Sequence, residues 1–216
     1  MAEKLTEVET RILGALVEKQ LTTPEYYPLT LNALVAACNQ KTNREPVVSY
    51  TEAIVQKALD DLREKNLAYV FYGSTSRVPK YKHILDKALE LERSEISIIC
   101  VMLLRGAQTL GELRGRTDRL YDFSGLGEVQ EALDRLMRRD EPLVAKLERQ
   151  PGQKEVRYAH LLSGEIDQSA YAVSVAAVHK PAENERIAAL ETELENLRGE
   201  FNSFQQSFEE FKKQFE

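Results

Sequence analysis

Cysteine is nearly absent from this sequence: Cys38 and Cys100 are the only two in 216 residues. Both sit in apolar runs of helical pattern with no second ligand nearby, which excludes a disulfide framework or a cysteine metal site. Two buried free thiols are expected instead. Long apolar runs are also missing. The longest, Ile96 to Leu104, covers nine residues and includes Ser97, far short of the roughly 20 that span a bilayer. Met1-Ala-Glu-Lys4 leads into no apolar segment of the signal-peptide kind. A cytoplasmic chain with no membrane partner is expected.

Histidine is scarce, with only His83, His160 and His179. There is no phosphate-binding glycine loop, no nucleophile elbow and no helical histidine pair of the metalloprotease kind. Adjacent carboxylates such as Asp60-Asp61 and Glu209-Glu210 fall on helix surfaces, where solvation explains them. No catalytic residue, metal ligand or cofactor is expected, and the chain reads as a non-enzyme. Charge of one sign is lacking too, except at the end. The net is +1 over residues 1–87, −1 over 88–163 and −6 over 164–216. Any nucleic-acid contact would need a local patch, because no global basic field assists it.

What the sequence does have is a stretch that occurs twice, from about Thr51 to Leu85 and from about Gly127 to Leu162. Each copy opens with an amphipathic helix, continues into a short apolar strand (67–71 and 143–147) and turns through Gly, Ser or Pro. A second strand follows with the pattern V-x-x-Y-x-H-x-L or V-x-Y-x-H-x-L. The offset is 74 residues at Leu59 and Leu133 and 77 at Tyr81 and Tyr158, so the extra residues fall in the turn, where insertions are tolerated.

Upstream of each copy lie two more helices. Val8, Ile12, Ala15 and Leu16 carry the first, over Glu7 to Gln20, and Thr6 with Glu9 reads as a capping box. Pro24 and Pro28 forbid helix in the connector 21–28. Thr30 caps a helix carried by Leu31, Leu34, Val35 and Cys38, followed by the polar loop Asn39 to Pro46. The second copy repeats this with a helix over Ser94 to Arg105 and a short one capped by Thr109.

Helix, helix, helix, strand, strand is the order of a winged helix. The expected fold class is mainly α with small β-hairpins (α+β). It comprises two tandem winged helix-turn-helix domains, 1–87 and 88–163, a linker at 164–182 and a long C-terminal helix at 183–216. That tail carries Ile187, Leu190, Leu194, Leu197, Phe201, Phe204, Phe208, Phe211 and Phe215 at alternating spacings of three and four, a heptad seam of coiled-coil type. It either forms a homodimer or docks on the chain's own domains.

Nucleic acid is the natural partner to consider for such domains. With Ile54, Ala58, Leu59 and Leu62 inward, the third helix presents Ser49, Gln56, Lys57, Asp60 and Glu64. Phosphate candidates are Lys41, Thr42, Asn43 and Arg44 in the loop before it, and Arg77 and Lys80 in the wing. Arg114, Arg116 and Arg119, then Arg149, Lys154 and Arg157, are candidates in the second copy. On this reading Arg44→Ala and Lys41→Ala weaken duplex binding without unfolding the chain. The corresponding helix of the second copy is laced with charge pairs such as Asp134 and Arg138. His83 and His160, equivalent across the repeat, are expected to be structural.

The stretch Tyr26 to Val47, the helix Val55-Gln-x-Ala-Leu-x-x-Leu62 and Gly111-Glu-Leu-Arg114 closely resemble the YceH-like family of bacterial proteins. The likeness covers roughly residues 5–163 and the tail. It implies tandem winged helix domains in a bacterial cytoplasm and brings no catalytic residues. The Asn39–Pro46 loop, the most distinctive polar segment of that likeness, is the first candidate contact surface. Two readings stay open. One is a DNA-binding protein of transcriptional or nucleoid-associated kind. The other is a non-catalytic adaptor that binds protein, in the manner of the ScpB-like subunits of chromosome-condensing complexes.

Overall fold

The fold is taken from a computed structural model, which describes residues 4–72, 78–149 and 154–166. Arg77, residues 167–182 of the linker and every residue of the heptad seam lie outside the described residues.

The first copy runs α1 (Glu7–Thr22), β1 (Leu29–Thr30), α2 (Leu31–Cys38), α3 (Glu52–Glu64), β2 (Ala68–Phe71) and β3 (Lys80–His83). After α4 (Leu85–Ala88), the second runs α5 (Arg93–Arg105), α6 (Leu110–Thr117), α7 (Leu126–Met137), β4 (Val144–Lys146) and β5 (Tyr158–His160). The result is a mixed α and β chain with small antiparallel sheets, one ordered β1-β3-β2 and one formed by β4 and β5. Thr6 caps α1 with the expected reciprocal box to Glu9, and Thr30 and Thr109 cap α2 and α6.

The sequence reading differs in four places. Helix α1 continues two residues past Gln20. The connector holds a 3-10 turn, Pro24–Tyr26, because a proline in the first turn of a helix loses no bond. Strand β1 and helix α4 were not foreseen, being too short to show periodicity. On α3 the inward residue is Val55, fully buried, while Ile54 is 44% exposed. Val55, Leu59 and Leu62 share one face at helical spacing, whereas Ile54 falls a quarter-turn away.

The two copies share one hydrophobic core. It is organised by α1 and α5, which pack along each other and are buried on nearly every side. They pack tightly at Gly14: a Cβ there would lie 2.8 Å from Leu104 Cδ2 and 3.0 Å from Leu103 Cβ. The Cys100 thiol donates to the Gly14 carbonyl across the same contact, at 3.5 Å. Both cysteines are free and buried, as expected. Burial pushes the Cys38 thiol up to about 12 and raises Cys100 as well. The ends of the compact unit are tied by Leu5 N–H to the Leu162 carbonyl, 2.9 Å.

A polar bridge repeats with the helices. Tyr81 Oη donates to Gln56 Oε1 at 2.9 Å, and the Gln56 amide donates to the Asp60 carboxylate at 3.2 Å. In the second copy Tyr158 Oη donates to Gln130 Oε1 at 3.2 Å, and the Gln130 amide reaches Asp134 at 2.8 Å. Each bridge clamps a hairpin strand to the helix before it.

The two equivalent histidines sit beside these bridges on the sheets. His83 Nδ1 accepts the Leu85 N–H at 3.2 Å. Burial lowers its pKa to about 4 against the pull of Asp86, 3.8 Å away, and burial lowers His160 to about 4 likewise. Both fit the structural role expected of them.

Two outcomes follow from this packing. Gly14→Val forces side-chain atoms into the α1–α5 contact and is expected to lower stability by about 1–3 kcal/mol in urea denaturation, whereas an open site would show no loss. The histidines make stability pH-dependent, since each is neutral when folded but titrates at 6.5 when unfolded. The unfolded chain binds more protons between about pH 6.5 and 4, so stability is complete above that window and falls as pH drops through it. The loss is on the order of 3 kcal/mol per imidazole. Urea midpoints that stay flat from pH 7 to 4.5 would contradict this.

Candidate nucleic-acid interface

The loop between α2 and α3 was the leading contact surface, and the structure turns its central residue inward. The Arg44 side chain has no solvent exposure and pairs with Glu18 Oε2 of α1 at 2.6 Å. Its other donors reach Glu18 Oε1, the carbonyls of Ala37 and Asn43, and Gln40 Oε1, all within 3.2 Å. Burial raises the Glu18 carboxyl, but hydrogen bonding to Arg44 and its charge outweigh that and hold it below its usual value. Arg44 is therefore not a phosphate contact: its guanidinium is consumed by an internal carboxylate that sequence spacing could not associate with it.

The rest of the loop serves the same end. Asn39 closes its mouth by exchanging two 2.8 Å bonds with the Tyr50 backbone. Arg11 Nη2 donates to the Pro46 carbonyl at 2.6 Å. The Glu45 N–H donates to the Leu104 carbonyl of α5 at 2.9 Å. Asn43, at a left-handed φ of 58°, accepts from Arg105 Nη2 at 3.0 Å. The segment is a clasp between the copies, with Lys41, Thr42, Glu45 and Pro46 exposed and Lys41 its one exposed cation.

On α3, Gln56 belongs to the bridge to Tyr81 and Asp60, so its amide is not free to read a base. Lys57 is exposed but paired with Asp61 at 3.1 Å, and Arg63 pairs with Asp60 at 3.0 Å. Ser49 is exposed. Helix α7 is equally laced: Arg138 holds Asp134 at 3.0 Å, and Arg135 binds Glu92 and Glu95 of α5. Neither helix presents an uncompensated cationic face.

In the second copy Arg114 is exposed. Arg116 is engaged by Gln108 and by Glu112 at 3.4 Å. Arg119 is largely exposed and 3.8 Å from Glu18. Arg116 and Arg119 border one small recess with Arg105, Asn43 and Glu18; Arg114 is not among its lining.

Of the second hairpin, Arg149 and Lys154 are exposed and Arg157 is held by Glu112 at 2.9 Å. A further cationic surface is the outer face of the three-stranded sheet. Ala68, Tyr81, His83 and Leu29 point into the core, so strand alternation sends Tyr69, Phe71, Lys80 and Lys82 the other way. The register places Tyr69 opposite Lys82 and Phe71 opposite Lys80, with Thr30 beside Lys80. The Lys82 ammonium sits 5.8 Å from the Tyr69 ring centre, within cation–π range. Tyr69 and Phe71 are 37% and 44% exposed, and Tyr72 beyond them is 69% exposed. None of the residues of the three strands is acidic.

Sequence reasoning found Lys80 here and missed Tyr69, Phe71 and Lys82. The available signal was the two-residue alternation of aromatic and lysine on facing strands, which becomes a surface only once the register is known.

Among the described residues there is no cluster of three metal-ligating side chains, and no helix long and apolar enough to cross a membrane.

Residues 5–153 match the family model described as protein of unknown function, DUF480. The chain is 50% identical over 216 residues to a UPF0502 protein of Geobacter sulfurreducens, covering 98% of both chains. It is 51% identical to a UPF0502 protein of Opitutus terrae, over 90% of this chain and 83% of the relative. A UPF0502 protein of Citrifermentans bemidjiense is 53% identical over 90% of each.

The buried pair gives a direct test of the loop. Arg44→Ala leaves Glu18 without its principal partner and is expected to cost about 3–5 kcal/mol in urea denaturation. Lys41→Ala, at an exposed position, is expected to stay within about 0.5 kcal/mol of the parent. Equal stability of the two variants would remove the clasp.

Proposed function

The chain belongs to the DUF480 family, the UPF0502 proteins that include the YceH-like sequences, and we propose that it is a non-catalytic DNA-binding protein built from two tandem winged helix units. The element order in each copy supports the unit, since three helices lead into an antiparallel hairpin twice. One observation carries the ligand: the outer face of β1, β3 and β2 presents Lys80 and Lys82 with no carboxylate among its strands. In this reading the wing face holds the backbone, exposed Lys41 adds a further cation, and α3 does not read the major groove. A transcriptional or nucleoid-associated role and self-association through the heptad tail complete the proposal.

A second reading has its own support. The outward faces of α3 and α7 carry paired carboxylates alongside exposed Ile54 and Leu126, a mixture that suits a protein partner better than phosphate. Fluorescence anisotropy against mixed-sequence duplex DNA across a salt series separates the two. DNA binding through Lys41, Lys80 and Lys82 predicts a slope of about −3 in log affinity against log salt. Lys80→Glu with Lys82→Glu reduces its size by about 2. No binding at low salt would sink the DNA reading and leave the adaptor.

A further inference from the structure

We propose that the outer face of the first sheet is a stacking platform for single-stranded DNA, with bases on Tyr69 and Phe71 and phosphates on Lys80 and Lys82. This rests on the DNA-binding reading of the same surface and names the strand state that it takes.

The duplication provides an internal comparison. Superposing the repeats on Tyr81 and Tyr158 makes His83 equivalent to His160, and the strand registers then pair the outer positions. Tyr69, Phe71, Lys80 and Lys82 correspond to Ala145, Leu147, Arg157 and Ala159. In the second copy both rings are gone. Leu147 is buried, Ala159 is nearly so, and Arg157 is held by Glu112 at 2.9 Å. Tyr81 and His83 recur as Tyr158 and His160, the inward Ala68 and Val70 become Val144 and Lys146, and none of the four outer residues recurs. Folding therefore does not demand two exposed rings and two lysines on this face, because the sister sheet is built without them.

The chemistry of the surface selects the ligand. Rings two residues apart on one strand lie about 7 Å from each other, on one face whose strands carry no carboxylate. Exposed aromatic planes gain little from a duplex, whose bases are stacked inside and whose surface is phosphate and sugar. They gain a great deal from unstacked bases, since every base has a π-face, and lysines beside them meet the phosphates between bases. Lys82 near Tyr69, at 5.8 Å, and Lys80 opposite Phe71 supply one ammonium per ring. That alternation of ring and cation matches the base and phosphate of a single strand. Ring stacking and ammonium–phosphate contacts do not call on a ribose 2′-hydroxyl, and the strand proposed is the DNA of the reading above.

The test uses the full chain and three labelled probes: a mixed-pyrimidine single-stranded DNA of 12 nucleotides, its duplex with the complement, and RNA of the same sequence. Single-stranded DNA is expected to bind at least tenfold tighter than the duplex. Tyr69→Ala and Phe71→Ala are each expected to weaken the single strand about tenfold and to change the duplex less than twofold. Tyr69→Phe keeps the ring and is expected to keep the affinity. The substituted rings are exposed, and an unchanged circular dichroism spectrum and urea midpoint will confirm folding. Duplex binding as tight as the single strand, aromatic variants without effect, or RNA bound more tightly than DNA would each overturn the platform while leaving the DNA-binding reading intact. No binding by any probe at low salt would remove that reading and the platform together.

Discussion

The pairing of Arg44 with Glu18 is the contact on which the described structure depends. A guanidinium and a carboxylate taken out of water are costly unless both are fully hydrogen-bonded, and here both are. Arg44 reaches α1 and the end of α2 as well as its own loop. To satisfy it, the polar segment 39–46 must fold back against α1. Once there, its backbone meets the end of α5 at Leu104, and its Asn43 meets Arg105. One buried ion pair thus fixes α1, α2 and α5 relative to each other.

That constraint explains why α1 is buried around nearly its whole circumference although it carries Glu9, Arg11 and Glu18. Each charge is answered from a distant part of the chain: Lys65 for Glu9, the carbonyls of Cys38 and Pro46 for Arg11, Arg44 for Glu18. With the charges satisfied, the remaining surface of α1 is free to pack against α5, and Gly14 sets how closely. The copies consequently share a core. The segment most distinctive in sequence is a clasp in the interior.

The division of labour between inner and outer positions gives the surface its meaning. Inside, Tyr81 and Tyr158 hold equivalent Gln partners, and the two histidines occupy equivalent strand positions. Outside, the sheets have separated into one aromatic, cationic face and one that is small, apolar or neutralised. The shared scaffold is thus built once with exposed rings and lysines on this face and once without them.

The sequence by itself determined the repeat, the three helices and two hairpin strands of each copy, the caps at Thr6, Thr30 and Thr109, and the burial of both cysteines. All of these are local or periodic, so spacing alone encodes them. Only the tertiary structure decided which charges were available. Arg44 and Gln56 look like surface residues in a polar loop and on a helix flank, yet their partners are 26 and 25 positions away. Pairing across such distances depends on how elements pack, which no local pattern carries. The outer face of the first sheet was hidden for the same reason: Tyr69 and Lys82 become neighbours through β-register, and register is a property of two strands together.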